Sequence, residues 1–585
     1  MPDAFLGVVA SVTGRRWVGP EAETARLAEQ LAQQNDLTPA LAQVLAERGI
    51  GPDDVAAFLE PKLRDLLPDP RKMKDMEKAA TRFANAVRRR EHIAIFADYD
   101  VDGAASAAEL ITWLRAVGLQ ATLYIPDRID EGYGPNDVAM RALADSHDLI
   151  VTVDCGTLSH GPIAAATGCD VVVLDHHLAL ENLPPAYAVV NPNRVDEDGS
   201  LGHLCAAGVV FMFLVEVARQ LRDEMQVPDL MRFLDLVALA TVADVAPLIG
   251  LNRAFVRQGL KVMAMRERVG LTALADVAGL NVPPGAFHLG FVLGPRINAG
   301  GRVGKANLGA RLLSTDNPTE ATDLANQLDV LNRERRTIEA LVLTEAQAQA
   351  ERRGLDAPLI WAAAEGWHPG VVGIVAARLS QANNRPAVVI GYDEAGAGKG
   401  SGRSVSGVDL GTAVQHIAEI GLIERGGGHT MAAGLSLSFA QLEPAMARLS
   451  DLLARQGAGA TGPRDLRVTS LLAPQAATPA FIEQLEAAGP FGQAAPAPRF
   501  VFAAQRLRGV KVMGEGHLRI SFGDPGGGPA VESVLFNALG TPLGDTLHGA
   551  AGGHSLWHFA GRLELNHWQG RVRVQMRLED AAMTP

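Results

Sequence analysis

Short apolar runs alternate with helical stretches between residues 86 and 316, and this alternation predicts a mostly parallel α/β sheet. Four β-rich runs carry the pattern, at 92–97, 121–125, 149–153 and 170–174. A helical stretch at 104–117 separates the first two runs. Functional side chains of parallel α/β sheets lie just beyond the carboxyl ends of the strands. We therefore expect the site of this domain at those ends.

The remaining pattern predicts further domains on either side of this sheet. The predicted divisions are a helical segment at 1–85, the parallel-sheet domain at 86–316, a connecting helix at 317–354, a second α/β domain at 355–457 and a β-barrel domain at 464–580. Leucines lie on a helical stripe between 317 and 354. This stripe predicts either a connector between two lobes or an ordinary amphipathic helix in a core.

Glycine-rich segments punctuate the second half of the chain. β-rich runs near 359–363 and 387–390 belong to the second α/β domain. Glycines at 396–402 and 426–428 predict turns, and those at 457–463 predict a linker. The β-like segments that follow the linker are interrupted by one clear helix, near 479–488, which favours a small barrel such as an OB-fold.

Composition limits the class of protein. The chain has 585 residues, enough for three or four domains at about 150 residues each. Hydrophobic residues make up 48% and charged residues 20%, which is typical of a globular protein. Charged residues interrupt every apolar stretch before the ~18 residues that a membrane span needs, and the first residues lack a secretory pattern. Three scattered cysteines are too few for a disulfide framework, so we expect a cytoplasmic protein.

The formal net charge is −13, from 53 basic and 66 acidic residues. This balance argues mildly against a nucleic-acid partner, because clustered lysines and arginines provide affinity for phosphates. A metal-dependent phosphodiesterase would nevertheless be rich in carboxylates at its active site. The net charge therefore does not decide the question, and local clusters must.

The strongest local signal is the run Asp98-Tyr99-Asp100-Val101-Asp102-Gly103, directly after the first strand. Three carboxylates at alternating positions repel one another unless a positive charge compensates them. Oxygen-rich sites select Mg²⁺ or Mn²⁺. A calcium loop of the EF-hand type is disfavoured, because no glutamate stands at its twelfth position. A solvated acidic turn is the other alternative.

Metal-competent side chains also follow the later strands. Asp154 follows the run at 149–153, and Asp175-His176-His177 follow the run at 170–174. Asp244 lies in an apolar helical stretch, where it predicts either a metal ligand or a buried salt bridge or cap. One such residue alone could be a helix cap. Three strand ends that carry such side chains predict a shared site.

These motifs together resemble the DHH phosphoesterase superfamily. The four motifs of that superfamily correspond to the runs at 98–103 and 153–156, the triplet at 175–177 and Asp244 with its neighbours. The glycine-rich run at 426–434 is similar to the signature of the DHH-associated substrate domain. Further runs resemble the single-stranded-DNA-specific exonuclease branch, at 126–128, 131–134, 294–302, 365–373, 401–404 and 490–492.

The resemblance implies a site that binds two Mn²⁺ or Mg²⁺ ions and hydrolyses phosphodiesters. The implied metal ligands are Asp98, Asp100, Asp102, Asp154, His176, His177 and Asp244. Of these, Asp98 and His177 either bind the ions directly or act one shell out. The implied catalytic residues are Asp100, Asp102, Asp154, His176 and His177. Asp175 is expected to orient the histidines that follow it.

The resemblance also implies a substrate site built from basic and glycine-rich segments. Arg128, Ser401 and Arg403 would help to form the stop that makes the enzyme act from the 5′ end. The three glycines before His429 offer backbone N–H groups that can cradle a phosphate. For each of these segments, a turn closed by arginine or histidine hydrogen bonds is the alternative. A similar choice holds for Arg296 and Arg302, which either contact strand phosphates or fix their own loop.

The implied activity is 5′-to-3′ hydrolysis of single-stranded DNA to mononucleotides in recombination and repair. Basic residues interleaved with phenylalanines between 499 and 522 are typical of single-strand-binding barrels, but core packing is the expected role of most of these rings. Two other functions stay open. They are a DHH phosphodiesterase acting on small nucleotides or oligoribonucleotides, and an inactive DHH replication scaffold. The resemblance further implies single-strand-binding protein and a RecQ-type helicase as partners, with no membrane association.

Overall fold

The computed structural model describes residues 4–128, 131–459, 464–514, 516–568 and 571–584. Residues 460–463 of the expected linker lie outside these ranges. The chain forms two compact units. Unit 1 consists of Met1–Leu67, Pro247–Arg257 and Gly462–Pro585, and unit 2 consists of Pro68–Ala246 and Gln258–Thr461. Among the described residues, no helix combines the length and apolar character that crossing a membrane requires.

Helices occur throughout both units. They are α1 (Ala22–Gln34), α2 (Pro39–Glu47), α3 (Val55–Leu59), α4 (Leu63–Leu66), α5 (Met76–Arg89), α6 (Val101–Ala116), α7 (Asp137–Ala144), α8 (His160–Ala165), α9 (Ala206–Leu221), α10 (Leu234–Ala243), α11 (Gly250–Ala264), α12 (Val269–Val277), α13 (Ala286–His288), α14 (Gly294–Val303), α15 (Leu308–Ser314), α16 (Pro318–Arg353), α17 (Pro369–Asn383), α18 (Leu410–Glu419), α19 (Leu442–Arg455), α20 (Pro479–Glu486) and α21 (Pro542–Gly549).

Strands of the described residues form four sheets. They are β1 (Arg15–Val18), β2 (Ile93–Ala97), β3 (Ala121–Tyr124), β4 (Leu149–Val153), β5 (Asp170–Leu174), β6 (Ala188–Val190), β7 (Ile360–Glu365), β8 (Ala387–Tyr392), β9 (Ala397–Arg403), β10 (Arg425–His429), β11 (Ala432–Ser438), β12 (Arg464–Arg467), β13 (Ser470–Leu471), β14 (Phe500–Met513), β15 (His517–Gly523), β16 (Ala530–Leu535), β17 (Leu556–Trp568) and β18 (Arg571–Met583).

A five-stranded parallel sheet forms the centre of the first half of unit 2. Its strand order is β3-β2-β4-β5-β6. Helices α7 and α8 pack on one face against Phe96, Ile150 and Val173. Helices α5, α6 and α9 contact the strands from the other side. The expected parallel α/β sheet is therefore confirmed. The edge strand β6 was not predicted, because it has only three residues.

The long helix α16 has 36 residues and spans about 54 Å at ~1.5 Å per residue. The Asn317 side chain caps its start by accepting hydrogen bonds from the N–H groups of Thr319 and Glu320. The helix contacts α12, α14 and α15 beside the parallel sheet and α17 and β7 of the second sheet domain. It is thus built into both parts of unit 2.

The second sheet of unit 2 is mixed, with the strand order β10-β11-β9-β8-β7. Among its described strands, only β7 and β8 pair in parallel. The expectation of glycine-rich turns at 396–402 and 426–428 is wrong, because these segments are largely β9 and β10. Their glycines permit close packing, since a Cβ atom on Gly402 would lie 2.7 Å from Leu410 Cδ2 of α18.

Unit 1 contains the expected barrel. Strands β14, β15, β16, β18 and β17 follow one another, and pairing of β14 with β17 closes the ring. Phe500, Phe502 and Phe522 are fully buried, so these rings are core residues. Two elements were not expected, namely the second helix α21 and the strand β1, which pairs in parallel with β12.

Candidate active site

Three neighbouring parallel strands bring acidic residues to one edge of the first sheet. The last residues of β2, β4 and β5 pair with one another in register. Asp98, Asp154 and Asp175, which directly follow these strands, therefore lie side by side. The backbone of Asp154 is left-handed, with φ of 60°. Aspartate tolerates this conformation better than most residues, and it turns the chain sharply at the strand end.

Helix N-termini position the other two aspartates of the first motif. Asp100 is the N-cap of α6, and its Oδ1 accepts hydrogen bonds from the N–H groups of Asp102 (2.8 Å) and Gly103 (3.2 Å). The two carboxylate oxygens of Asp102 accept hydrogen bonds from Ala206 (2.7 Å) and Ala207 (2.8 Å) at the start of α9. The partial positive charge of that helix end stabilises the Asp102 carboxylate.

Three overlapping groups of side chains could each hold a metal ion. They are Asp98 with Asp100 and Asp154, Asp102 with His176 and Asp244, and Asp154 with His176 and His177. Within each group the candidate ligand atoms lie within 4.8 Å of one another. His176 Nε2 is central, since it lies 3.2 Å from Asp154 Oδ1, 3.6 Å from Asp102 Oδ2 and 3.9 Å from Asp244 Oδ2. The structure thus brings together all seven residues of the expected metal set.

The cluster is electrostatically strained without a cation. Burial, followed by repulsion from Asp100, raises the pKa of Asp98 and of Asp154 well above the usual range. Burial raises the pKa of Asp102 as well. For Asp244, burial and the charges of Asp102 and Asp100 raise the pKa to about 8. The carboxylates therefore disfavour their own ionisation at neutral pH unless positive charge is added.

Two divalent ions fit this donor set. Asp98 Oδ1 is buried and has no hydrogen-bond partner among the described residues, as expected for a ligand atom. The group of Asp98, Asp100 and Asp154 offers only oxygen donors, which Mg²⁺ and Mn²⁺ prefer. A second group adds the His176 nitrogen. Sharing of Asp154 between groups is consistent with a metal pair.

Asp175 and two asparagines hold the histidines in place. Asp175 Oδ1 accepts hydrogen bonds from the His176 N–H (2.7 Å) and from His177 Nδ1 (2.8 Å). Burial opposes protonation of His177, but the hydrogen bond to Asp175 raises the His177 pKa to about 9. Asn193 and Asn191 donate to the backbone carbonyls of His176 and His177. Neither asparagine was predicted from the sequence. Both come just after the short strand β6, in the same way that candidate metal ligands come just after β2, β4 and β5.

An arginine cluster lies beside the acidic cluster. The Arg128 guanidinium lies over the Tyr99 ring, 5.0 Å from its centroid. Burial, followed by the charge of Arg128, lowers the pKa of Arg302 to about 10 and that of Arg403 and of His368 below their ordinary values. Arg302, Arg403 and His368 therefore all lie within electrostatic reach of Arg128, and the three guanidinium groups of Arg128, Arg302 and Arg403 form the arginine cluster. Such a cluster favours an anion between its members.

Ser401, Arg403 and His429 share one face of the mixed sheet. Arg403 Nη1 donates to Ser401 Oγ at 3.0 Å. Arg403 pairs with Ala432, and Ala432 pairs with His429, so Arg403, Ala432 and His429 lie in one row across the strands. Ser401 lies two residues before Arg403 on β9 and therefore points to the same face. Directly paired residues point to the same face. His429 is exposed at the end of β10, and the three glycines before it lie in that strand, not in a loop.

Arg296 and Arg302 differ in their contacts. Arg296 Nε donates to Asp329 Oδ1 of α16 (3.0 Å), and its Nη1 donates to the Val292 carbonyl (2.7 Å). These contacts support the loop-fixing role for Arg296. Arg302, a member of the arginine cluster, donates to the Gly370 carbonyl at the start of α17 (3.1 Å). Its substrate role stays a prediction.

Tyr133 is a further residue of the site to which sequence reasoning gave no role. Its hydroxyl lies 3.1 Å from the Asp154 carbonyl oxygen and 3.2 Å from His177 Nε2. The side chain is half exposed, and the Tyr99 ring meets it edge-on at 6.4 Å between centroids. The signal for it was an aromatic residue between two glycines, Gly132 and Gly134, in a motif already singled out.

Three known families match successive parts of the chain. The DHH family, N-terminal domain, matches residues 92–241. The DHHA1 domain matches residues 356–455, and the RecJ OB domain matches residues 469–580. The first match contains six of the seven expected metal ligands, and Asp244 lies just beyond its end.

Curated relatives and solved structures agree with these matches. The single-stranded-DNA-specific exonuclease RecJ of Escherichia coli (strain K12) is 35% identical over 568 residues, covering 93% of this chain and 96% of that protein. RecJ of Bacillus subtilis (strain 168) is 32% identical, covering 95% of this chain and 69% of that protein. Crystal structures of RecJ from Thermus thermophilus in complex with Mn²⁺ and with Mg²⁺ cover 97% of this chain. They cover 79% and 78% of the Thermus chain, with TM-scores of 0.80 and 0.72 and identities of 29% and 28%. On these grounds the chain belongs to the RecJ family of single-stranded-DNA-specific exonucleases.

Proposed function

We propose that this chain hydrolyses single-stranded DNA from its 5′ end to mononucleotides, by two-metal-ion phosphodiester hydrolysis in recombination and repair. One observation carries the proposal, namely that an acidic cluster and an arginine cluster lie side by side in unit 2. Tyr99 joins them, because it stands between Asp98 and Asp100 in the chain and its ring contacts Arg128. A phosphodiester that reaches the acidic cluster can therefore have a neighbouring phosphate at the arginines.

The acidic cluster would hold the two Mn²⁺ or Mg²⁺ ions. Bound there, the ions supply a nucleophilic water at neutral pH and stabilise the charge of the phosphate in an in-line displacement. Asp98, Asp100 and Asp154 offer one set of donors, and Asp102, His176 and Asp244 offer another. Asp175 keeps His177 oriented through the 2.8 Å hydrogen bond. The Tyr133 hydroxyl donates a hydrogen bond at the same edge.

The arginine cluster would bind the 5′-terminal phosphate. A terminal phosphate carries more negative charge than an internal phosphodiester, so a site with several guanidinium groups favours a chain end. Arg128, Arg403 and the Ser401 hydroxyl are the proposed contacts, and Arg302 adds positive charge near Arg128. His429 shares the sheet face of Arg403 and is proposed to contact the strand there.

End preference tests the proposal. Labelled single strands with a 5′-phosphate, a 5′-hydroxyl or a blocked 5′ end are incubated with the enzyme and Mn²⁺, with and without EDTA. We expect mononucleotides to be released fastest from the 5′-phosphorylated strand, and chelation to stop the release. In Arg403→Ala the preference for the 5′-phosphate should shrink. Equal rates on all three ends, or digestion from the 3′ end, would reject the assigned polarity.

Duplex DNA and pyrophosphate serve as control substrates. A small-nucleotide phosphodiesterase would hydrolyse short substrates and leave long strands intact. An inactive scaffold would hydrolyse none of them, but the complete donor set supports retained catalysis. Hydrolysis of a small substrate would not require an OB domain, so the presence of this domain supports DNA as the substrate.

We also propose single-strand-binding protein and a RecQ-type helicase as partners, since both present single strands. A cytoplasmic location accords with the three free cysteines Cys155, Cys169 and Cys205. Co-purification from cell extract with and without nuclease treatment would separate direct partners from those that share DNA.

A further inference from the structure

All basic side chains of the strands β9, β10 and β11 lie on one face of the mixed sheet. They are Lys399, Arg403, Arg425 and His429, and none of the three strands contains an acidic residue. Lys399 and Arg425 both pair with Ser436 of β11, so these three residues form one row across the strands. This row lies two positions along the strands from the row that contains Arg403 and His429. Both rows point to the same side, because alternate positions of a strand share a face, as directly paired residues do.

The basic face of these strands is open, whereas their other face belongs to a hydrophobic core. Leu435 and Leu437 of β11 point to the other face and are buried against α18 and α19. On the basic face, a Cβ atom on Gly427 or on Gly434 would meet no atom of the described residues within 4 Å. Gly434 pairs with Gly427 on one side and with Ser401 on the other. Between the two basic rows the sheet thus offers a strip of glycine backbone with room above it.

The row of Lys399, Ser436 and Arg425 has the composition of an oxyanion site. Lys399 and Arg425 are exposed, and Ser436 lies between them on the middle strand. Neighbouring strands are about 4.8 Å apart, so the Cα atoms of the two basic residues are about 10 Å apart. Long cationic side chains at that separation can close on one anion from both sides, with the serine hydroxyl as a further donor. The row is therefore a second cationic site on the sheet.

This row borders the arginine cluster. Lys399 pairs with Gly391 of β8. The backbone of Trp367 packs so closely on Gly391 that a Cβ atom there would clash with the Trp367 carbonyl oxygen. Trp367 directly precedes His368, which lies within electrostatic reach of Arg128. The second cationic site is therefore next to the proposed binding site of the terminal phosphate.

The position of the row decides which phosphates can reach it. Lys399 lies about 6.6 Å from Ser401 along β9, at ~3.3 Å per residue, and Ser401 is a proposed contact of the terminal phosphate. The scissile phosphate, one nucleoside away, must reach the acidic cluster, whose candidate ligands all lie between residues 98 and 244. A phosphate held at the row is therefore one attached to the terminal phosphate on the side away from the strand.

We propose that Lys399, Ser436 and Arg425 bind the outer phosphates of a 5′-diphosphate or 5′-triphosphate, so that the enzyme accepts strands with polyphosphorylated 5′ ends. The inference rests on the proposed function, which places the first phosphate at the arginine cluster. Three guanidinium groups there already match one terminal phosphate, whose charge is about −1.5 to −2 at neutral pH. Two further cations suit further phosphates. Hydrolysis of the first phosphodiester adds water to its phosphorus, breaks the bond to O3′, which takes up a proton, and releases a nucleoside 5′-triphosphate.

Kinetics on single strands with a 5′-monophosphate or a 5′-triphosphate test the site. The Mn²⁺-loaded wild type should release a nucleoside 5′-triphosphate as the first product of the triphosphorylated strand, followed by mononucleotides. In Lys399→Gln/Arg425→Gln, KM for that strand should rise at least about tenfold, as expected for one lost hydrogen bond to a charged group. KM and kcat for the monophosphorylated strand should stay close to wild type. Lys399→Arg/Arg425→Lys keeps both charges and should restore KM for the triphosphorylated strand.

Binding without hydrolysis gives a second readout. In EDTA, fluorescence anisotropy of 3′-labelled strands measures the Kd for each 5′ end. The wild type should bind the triphosphorylated strand at least about tenfold more tightly than the monophosphorylated one, and the double glutamine variant should bind both alike. The matched control is Arg352→Gln/Arg455→Gln, which removes two exposed positive charges elsewhere in unit 2 and should behave like wild type.

The outcomes separate the two proposals. A wild type that releases no nucleotide from either strand refutes the nuclease, and the Kd values in EDTA then decide on the polyphosphate site by themselves. Equal Kd values of the wild type for both 5′ ends refute only the polyphosphate site. The site is also refuted if the glutamine variant loses affinity equally for both strands, or if the control variant has the same effect.

Discussion

Asp154 belongs to two of the three candidate ligand groups, as His176 does, and it is the carboxylate that two of these groups share. Asn is its closest substitute, since it keeps the size of aspartate and tolerates the left-handed backbone. We expect Asp154→Asn to lower exonuclease activity by more than about a hundredfold, because loss of even an outer-shell partner costs about 10- to 100-fold. Calorimetry should show reduced Mn²⁺ uptake. Asp145→Asn, at an exposed site, is the control, and unchanged uptake in Asp154→Asn would contradict the assignment.

Asp175 is expected to act through the histidine that it orients. In Asp175→Asn the amide oxygen can still accept the hydrogen bonds from the His176 and His177 N–H groups. The Thr157 N–H, which donates to the second carboxylate oxygen, loses its acceptor, and the charge opposite His177 is lost. We expect Mn²⁺ affinity to fall about 10- to 100-fold while the fold is kept. Manganese titration by calorimetry measures the affinity, and circular dichroism checks the fold. An affinity equal to that of the wild type would show that His177 needs no such support.

Tyr99 supports Arg128 through the face of its ring. A cation–π contact is worth about 0.5–2 kcal/mol, so Tyr99→Leu should raise KM for a 5′-phosphorylated strand by roughly two- to thirtyfold. Tyr99→Phe keeps the ring and should behave like wild type. The two variants are compared on 5′-phosphorylated and 5′-hydroxyl strands. If the leucine variant raises KM equally for both ends, Tyr99 does not act through the arginine that binds the phosphate.

At the scale of elements, α16 contains a buried ion pair. Glu339 is 2% exposed, and its Oε2 lies 2.5 Å from Arg335 Nη1 one turn earlier, while Arg378 of α17 reaches its other oxygen. Removal of one partner of a buried pair costs about 3–5 kcal/mol, since it leaves an uncompensated charge. Glu339→Ala should therefore lower the unfolding midpoint in urea markedly. The exposed Glu334→Ala should not, and equal midpoints would show that the pair contributes nothing.

Strand ends were the part of this fold that sequence could predict. β4 and β5 were expected with the bounds observed, because a strand buried on both faces reads as a continuous apolar run. The same logic located Asp98, Asp154 and the triplet at 175–177. β9 and β10 were not predicted because their glycines resemble turn signals. The close approach of α18 explains Gly402 and Gly426, whereas Gly398 and Gly400 lie against residues of the neighbouring strands β8 and β11.

Long-range contacts were the part that sequence could not predict. Asn298 accepts a hydrogen bond from the Val101 N–H, 197 positions away in the chain. No local sequence pattern predicts such a contact. Arg296 could not be assigned either, because its ion pair with Asp329 depends on how α14 packs on α16. Tyr133 stood in a motif already noted, yet its role appears only once His177 is placed beside it. Local periodicity therefore located the candidate ligands and Asp175, but not Asn191, Asn193, Asn298 or Tyr133, which support them through long-range contacts.

At the scale of the whole molecule, metal binding should stabilise the fold. Ions that bind the native chain and not the unfolded one stabilise it by about 2.7 kcal/mol at a hundredfold excess over Kd. We expect Mn²⁺ to raise the unfolding temperature of the chelator-stripped protein, and EDTA to reverse the change. Differential scanning calorimetry measures it. Asp154→Asn should respond far less, and an equal response would place the bound manganese elsewhere.

The net charge of −13 argues against a nucleic-acid partner only when it is averaged over the whole chain. Part of the excess of carboxylates is concentrated at the candidate metal site. Five aspartates and two histidines meet at one sheet edge. Arg128, which lies over the Tyr99 ring and acts on the Asp98 carboxyl, places the arginine cluster next to them. We therefore expect DNA to bind at these two clusters, and its affinity to depend on the bound metal ions. Raising the salt concentration should weaken binding of the long strand, as neutralisation of phosphates requires.

The carboxylate of Asp102 is clamped by two backbone amides at the start of α9, and that of Asp100 by two more at the start of α6. These clamps are made of the main chain, so they exist before any ion arrives. The positions of these carboxylates are thus set by the fold itself. We therefore expect Mn²⁺ or Mg²⁺ to bind with little change in the positions of Asp100 and Asp102.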